Sequence, residues 1–194
     1  MTIHLADGSA QERNKYAELW SSVPEYRTFS PGLESVARFM KIMAPEPGQS
    51  LIDIGCGEGK AGLEFKKAGL LVNWLDITSA GLDPEIQKDR FIETAIWDGW
   101  QGPGHHWDFG FCCDVLEHIP PEYTMLVVDR IVKACRTAWL QITFLPDEFG
   151  KTIGQPLHLT VKPYDWWLLR LGTLCHVVDA RDLCGTGLFV VSQK

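Results

Sequence analysis

Three groups of residues in this chain have the types and spacing that chemistry needs. The first is Asp53-Ile54-Gly55-Cys56-Gly57-Glu58-Gly59, directly behind a short apolar run. Closely spaced glycines there allow a tight turn and let the backbone approach a ligand. The second is Asp76, at the end of the next apolar run and 21 positions beyond Gly55. A carboxylate at that spacing suits the two hydroxyls of a ribose. Alone, Asp76 would serve equally as a helix cap or a turn residue; the glycine loop before it favours the nucleoside reading. The third is Asp114-Val115-Leu116-Glu117-His118-Ile119. His118, and His158 further on, are the histidines whose type suits a general base. A lone histidine is more often structural, and spacing fixes the geometry of neither.

These residues need a frame, and the pattern supplies one. "SLIDIG", "LVNWLDIT", "RFIETAIW", "HWDFGFCCDV" and "TAWLQITF" read as strands. Between them "KAGLEFKKAG" reads as a helix closed by Gly69, "PEIQKDR" as a short helix opened by Pro84, and "PPEYTMLVVDRIVKACR" as the clearest helix. "PYDWWLLRLG" is a further helix with Gly172 at its end. "HVVDARDL" and "LFVVSQ" around "CGTG" make a hairpin. Before all of these, Val36, Phe39, Met40 and Met43 share one helix face, while residues 1–33 look irregular and carry many aromatics. Strands alternating with helices predict an α/β fold: a parallel sheet with helices on both faces and a C-terminal antiparallel hairpin. Ligands in such sheets bind beyond the carboxyl ends of the strands. The 194 residues allow one domain, 1–194, with 1–48 as an N-terminal helical or lid segment and 49–194 as a Rossmann-like core.

In this order and spacing, "LIDIGCGEG", "LDIT" and "DVLEHIP" resemble the motifs of class I S-adenosylmethionine (SAM)-dependent methyltransferases. The loop of that family, E/D-x-G-x-G-x-G, is met at each specified position. The resemblance covers about residues 50–145. It implies a seven-stranded Rossmann-like sheet with only the last strand antiparallel, and SAM as cofactor. It makes Asp53 an orienting acid near the methionine end, with Gly55, Cys56 and Gly57 offering backbone to methionine and ribose. Asp76 would bind the ribose and Ile77 would lie on adenine. Asp114 and Val115 would line the methionine end. Many members carry Asp-Ala after strand three where this chain reads Ala95-Ile96-Trp97-Asp98. The adenine contacts therefore fall to the backbone of Ile96 or Trp97, with Asp98 as the acid. Residues 16–33 are expected to form a lid from which Arg27 or Ser30 reaches the cofactor's carboxylate.

Competing readings are a nicotinamide-dependent oxidoreductase and a SAM-binding protein without catalysis. The oxidoreductase fingerprint G-x-G-x-x-G needs glycine where Lys60 stands. The net charge of −7 gives no basic patch for nucleic acid. DNA amino-methylating enzymes carry Asp/Asn-Pro-Pro-Tyr/Phe after strand four; here the run is Ile119-Pro120-Pro121-Glu122, and no Pro-Cys pair occurs for cytosine chemistry. The expected acceptor is a small molecule, sugar-like or glycan-like, methylated at oxygen. The segment 145–167 after strand five is its expected contact, with His158 and Trp166 facing it and His118 or His158 as base. The six cysteines show no C-x-x-C spacing, so no metal is expected and the thiols read as reduced, in a cytoplasmic protein. No apolar run is long enough to span a bilayer, and no membrane partner is expected.

Overall fold

The computed structural model describes residues 6–28, 30–98, 100 and 107–194. Phe29, inside the expected lid, and His106, at the expected start of the fourth strand, lie outside them. Two helices come first: α1 (Ala6–Ser22) and α2 (Pro31–Met43), joined by a 3-10 turn over Pro24–Thr28. Then follow β1 (Ser50–Ile54), α3 (Lys60–Lys67), β2 (Leu71–Asp76), β3 (Phe91–Glu93), β4 (Trp107–Cys113), α4 (Thr124–Ala134) and β5 (Cys135–Thr143). The chain ends on α5 (Gly150–Ile153), α6 (Tyr164–Leu174), β6 (His176–Asp182) and β7 (Thr186–Ser192).

The seven strands form one sheet in the order β3-β2-β1-β4-β5-β7-β6. All neighbouring pairs from β3 to β5 are parallel, and β7 runs antiparallel to both β5 and β6. Strand order therefore reverses between β1 and β4, which opens a crevice at their carboxyl ends. Side chains alternate across the sheet as strand geometry requires. Leu51, Phe111, Trp139 and Val190 face α2 and α3, where Phe39 and Phe65 complete one core. Ile52, Cys112, Leu140 and Val191 face α4 and α6, where Val128, Ile131, Trp167 and Leu171 complete the other. The adjacent Cys112 and Cys113 fall on opposite faces, as strand alternation requires, and all six cysteines are free.

Several local expectations are corrected. The described part of residues 1–33 is not irregular: α1 occupies 17 of them. Its contact face mixes Tyr16, Leu19 and Trp20 with the buried polar residues Ser9 and Lys15, so no apolar stripe marks it. The third strand stops at Glu93, and Ala95–Asp98 forms a turn closed by the Asp98 N–H on the Ala95 carbonyl, 2.9 Å. "PEIQKDR" gives only a 3-10 turn over Lys88–Arg90. Helix α4 starts at Thr124, not at the prolines, and α6 runs through Gly172 to Leu174.

Candidate cofactor and acceptor site

The carboxyl ends of β1, β2 and β4 bring the three sequence motifs together. After β1 the chain turns through Gly55 and Gly57, both at positive φ (67° and 55°). A Cβ at Gly55 would lie 2.4 Å from Val115, and one at Gly57 would lie 2.9 Å from Trp20. Both positions thus need glycine for conformation and for space. The loop is pinned from β2: the Gly55 and Cys56 N–H groups donate to the Leu75 carbonyl at 2.7 and 3.0 Å. The Gly57 N–H donates to Asp76 Oδ2 at 2.8 Å, and Thr78 N–H to Oδ1 at 3.2 Å. Each Asp76 oxygen has a further lone pair for a ligand hydroxyl. Burial pushes Asp76 up to about 6, against the opposing pull of those N–H groups.

Two clefts meet at this edge. The first encloses about 610 Å³ and is lined by Gly55, Gly57, Asp76, Ile77, Ala95, Ile96, Trp97, Asp114, Val115 and His118. Tyr16, Trp20, Tyr26 and Thr94 also line it, and none of them was among the residues singled out for the cofactor. The second encloses about 1220 Å³ and extends from Asp53, Gly55, Cys56 and Asp114 to Leu145, Asp147, Phe149 and His158. Asp114 and His118 line both.

Asp53 lies beneath the loop rather than in the first cleft. Its Oδ2 accepts from the Gly62 N–H at 3.0 Å, and burial lifts it to about 7. Asp98, the expected adenine acid, is exposed and lines neither cleft: the turn that follows the short β3 carries it outward. Trp166 lines neither cleft. Its ring packs edge-on against Trp167, 5.1 Å between centroids, under the Arg170 guanidinium. Trp167 is fully buried, as its register with Leu171 predicts. Arg27 is engaged elsewhere, donating to the carbonyls of Trp20, Ala80 and Gly81; Ser30 lines the second cleft. An aromatic ladder, Trp20–Tyr26–Phe149, crosses the clefts with centroids 4.7 and 5.4 Å apart.

His118 and His158 converge, 4.6 Å between ring centroids at 84°. The segments that carry them are stitched together. The Glu117 carbonyl accepts from the N–H groups of Leu159 and Thr160 at 2.7 and 2.8 Å, and Thr160 Oγ1 donates to the Ile119 carbonyl at 2.7 Å. Asp147 holds the intervening loop through the N–H groups of Gly150, Leu157 and His158. Burial, and then His158 beside it, lowers His118 to about 3, so its imidazole is neutral at physiological pH. Glu117 is fully buried; burial and then Asp114 hold it well above the usual carboxylate range. Asp114 itself sits at φ 53°, a conformation rare for a residue with a side chain.

No protein-family model matches the chain. Among curated proteins it is similar to the magnesium-protoporphyrin O-methyltransferase of Synechocystis sp., 25% identical over 127 residues, or 62% of this chain and 55% of that protein. The match thus spans about half the length of that relative. Among solved structures it is similar to the Synechocystis magnesium protoporphyrin IX methyltransferase with bound S-adenosylhomocysteine (SAH). There the TM-score is 0.61 at 19% identity, covering 95% of this chain and 87% of that one. It also resembles a Burkholderia thailandensis 1,6-didemethyltoxoflavin-N1-methyltransferase with bound SAH. That TM-score is 0.70 at 14% identity, covering 96% and 88%. The fold is that of the class I SAM-dependent methyltransferases.

Proposed function

We propose that this chain is a SAM-dependent methyltransferase acting on an oxygen of a small-molecule acceptor. The observation that carries the reading is Asp76 at the carboxyl end of β2, facing a cleft whose floor is the Gly55–Gly57 turn. The cofactor's ribose would rest on Asp76, with its adenine between Ile77 and the Ala95–Trp97 turn and its methionine toward Asp114. SAM supplies an activated methyl group. The protein's share is then alignment of the acceptor and exclusion of water. The second cleft, opening from Asp114 and His118 toward Leu145, Phe149 and His158, is the proposed acceptor space. Oxygen is favoured because the curated relative is an O-methyltransferase and because two histidines converge where the clefts meet. No nucleic-acid acceptor is proposed, since the net charge is −7.

Calorimetry with SAH tests the cofactor, and transfer of labelled methyl from SAM to a panel of hydroxylated small molecules tests the chemistry. Binding of NADH without binding of SAH would overturn the reading.

A further inference from the structure

We propose that Glu117, His118 and His158 form a binding site for a divalent transition-metal cation at the junction of the two clefts, where the cation would hold the acceptor's oxygen. What the cation does there rests on the methyl-transfer reading; whether it binds does not. One donor atom from each of the three side chains lies within 4.8 Å of the others.

The histidines are already set up as ligands. His118 Nδ1 lies 3.1 Å from the Leu157 carbonyl, and His158 Nδ1 lies 2.6 Å from the Leu145 carbonyl. A carbonyl can only accept, so in the tautomer that satisfies it each ring carries its proton on Nδ1 and presents a lone pair on Nε2. Tyr16 Oη, 2.8 Å from His118 Nδ1, then shares that N–H as a second acceptor. Metal-bound imidazoles take this arrangement, one nitrogen on the ion and the other N–H on a carbonyl or carboxylate.

The carboxylate supplies the independent sign. Glu117 is fully buried, Oε1 accepts the Thr143 N–H at 3.0 Å, and Oε2 meets no N–H donor among the described residues; the Asp114 carboxyl is the acidic group beside it. Two buried acidic groups side by side are costly. A cation held between Glu117 and the two histidines would offset that cost. Tetrahedral donors about 2.0–2.2 Å from an ion stand about 3.4 Å apart. The side chains would therefore draw in by about an ångström, which the half-buried His158 can supply. The absence of paired cysteine spacing does not bear on this donor set, which needs no thiolate.

Two imidazoles and one carboxylate suit zinc and its first-row neighbours, and three protein ligands leave a position open, as in catalytic sites. An acceptor hydroxyl in that position would be acidified and lose its proton to solvent. The oxygen would then form its bond to the methyl carbon as the carbon–sulfur bond breaks. The electron pair returns to sulfur, which leaves SAH.

The test uses the chelator-treated full chain and Co2+ alone, without SAM. We expect one Co2+ per chain with visible d–d absorption that Zn2+ bleaches. His158→Ala should lower Co2+ affinity at least tenfold and abolish the visible band. Glu117→Gln, which keeps an acceptor for Thr143, should do the same. Both should bind SAH as the parent does. No saturable Co2+ binding, or binding that both variants leave unchanged, overturns the site; if Glu117→Gln fails to fold, His158→Ala decides. Loss of SAH binding by the parent chain would sink the methyl-transfer reading and leave the cation result standing.

Discussion

Two buried aspartates do different work and respond differently to substitution. Asp76 ties the glycine turn to β2 and keeps lone pairs for a ligand. Asp76→Asn keeps the size but removes the charge and leaves one of the two backbone N–H donors without its acceptor. It should weaken SAH binding by the worth of charge-assisted hydrogen bonds, about 1.5–3 kcal/mol, read by calorimetry. Equal affinity in parent and variant would detach Asp76 from the cofactor. Asp53 forms no ion pair among the described residues, and burial holds its folded-state pKa at about 7 against 3.8 unfolded. A raised carboxylate pKa stabilises fully below the unfolded value, and that stability is lost as pH rises through the folded value. The ligand-free chain should thus lose about 2 kcal/mol at Asp53 between pH 5.5 and pH 8. Urea titrations of parent and Asp53→Asn isolate the effect: the variant should show a smaller pH difference, and an unchanged one would refute the assignment.

At the scale of elements, legibility followed periodicity. The helix face Val36, Phe39, Met40 and Met43 announced α2, and Phe39 does reach the core. It lies 4.9 Å from Phe65, 5.5 Å from Phe111 and 5.6 Å from Trp139, centroid to centroid. Phe39→Ala should cost about 3–5 kcal/mol by denaturant titration, the cost of an emptied aromatic site. The strand–loop–acid series marked one wall of the first cleft for the same reason: glycines and an acid in register are a local signal. The course of Ala95–Asp98 was not legible because β3 ends after three residues, so Asp98 swings outward. Trp166 and Arg27 take partners, Trp167 and the carbonyls of Ala80 and Gly81, that are fixed only by tertiary packing and leave no local signal. Helix α1 escaped because its buried face includes Lys15, whose ammonium reaches Glu12 and the Pro156 carbonyl. Its aromatics nonetheless line the first cleft, which supports the proposed lid. Hydrogen exchange across 16–28 should slow on SAH binding; unchanged protection there would reduce α1 to a packing arm.

For the molecule as a whole, the two cores lie back to back on one sheet, and the site lies where that sheet changes strand order. None of the helices among the described residues is long and apolar enough to cross a membrane. We propose that 1–194 unfolds as one cooperative unit, with 1–48 joined to the core through Phe39 in α2 and through Leu19, which packs with Leu157. Ligand binding then stabilises the whole chain rather than the loop alone. At 100 times its dissociation constant, SAH should add about 2.7 kcal/mol. For a chain of this length that corresponds to an upward shift of about 5–11 °C in melting temperature. Calorimetry should show a single transition that moves intact. A second, ligand-insensitive transition would separate the N-terminal helices from the core. A single transition that SAH fails to move would remove the cofactor from the first cleft.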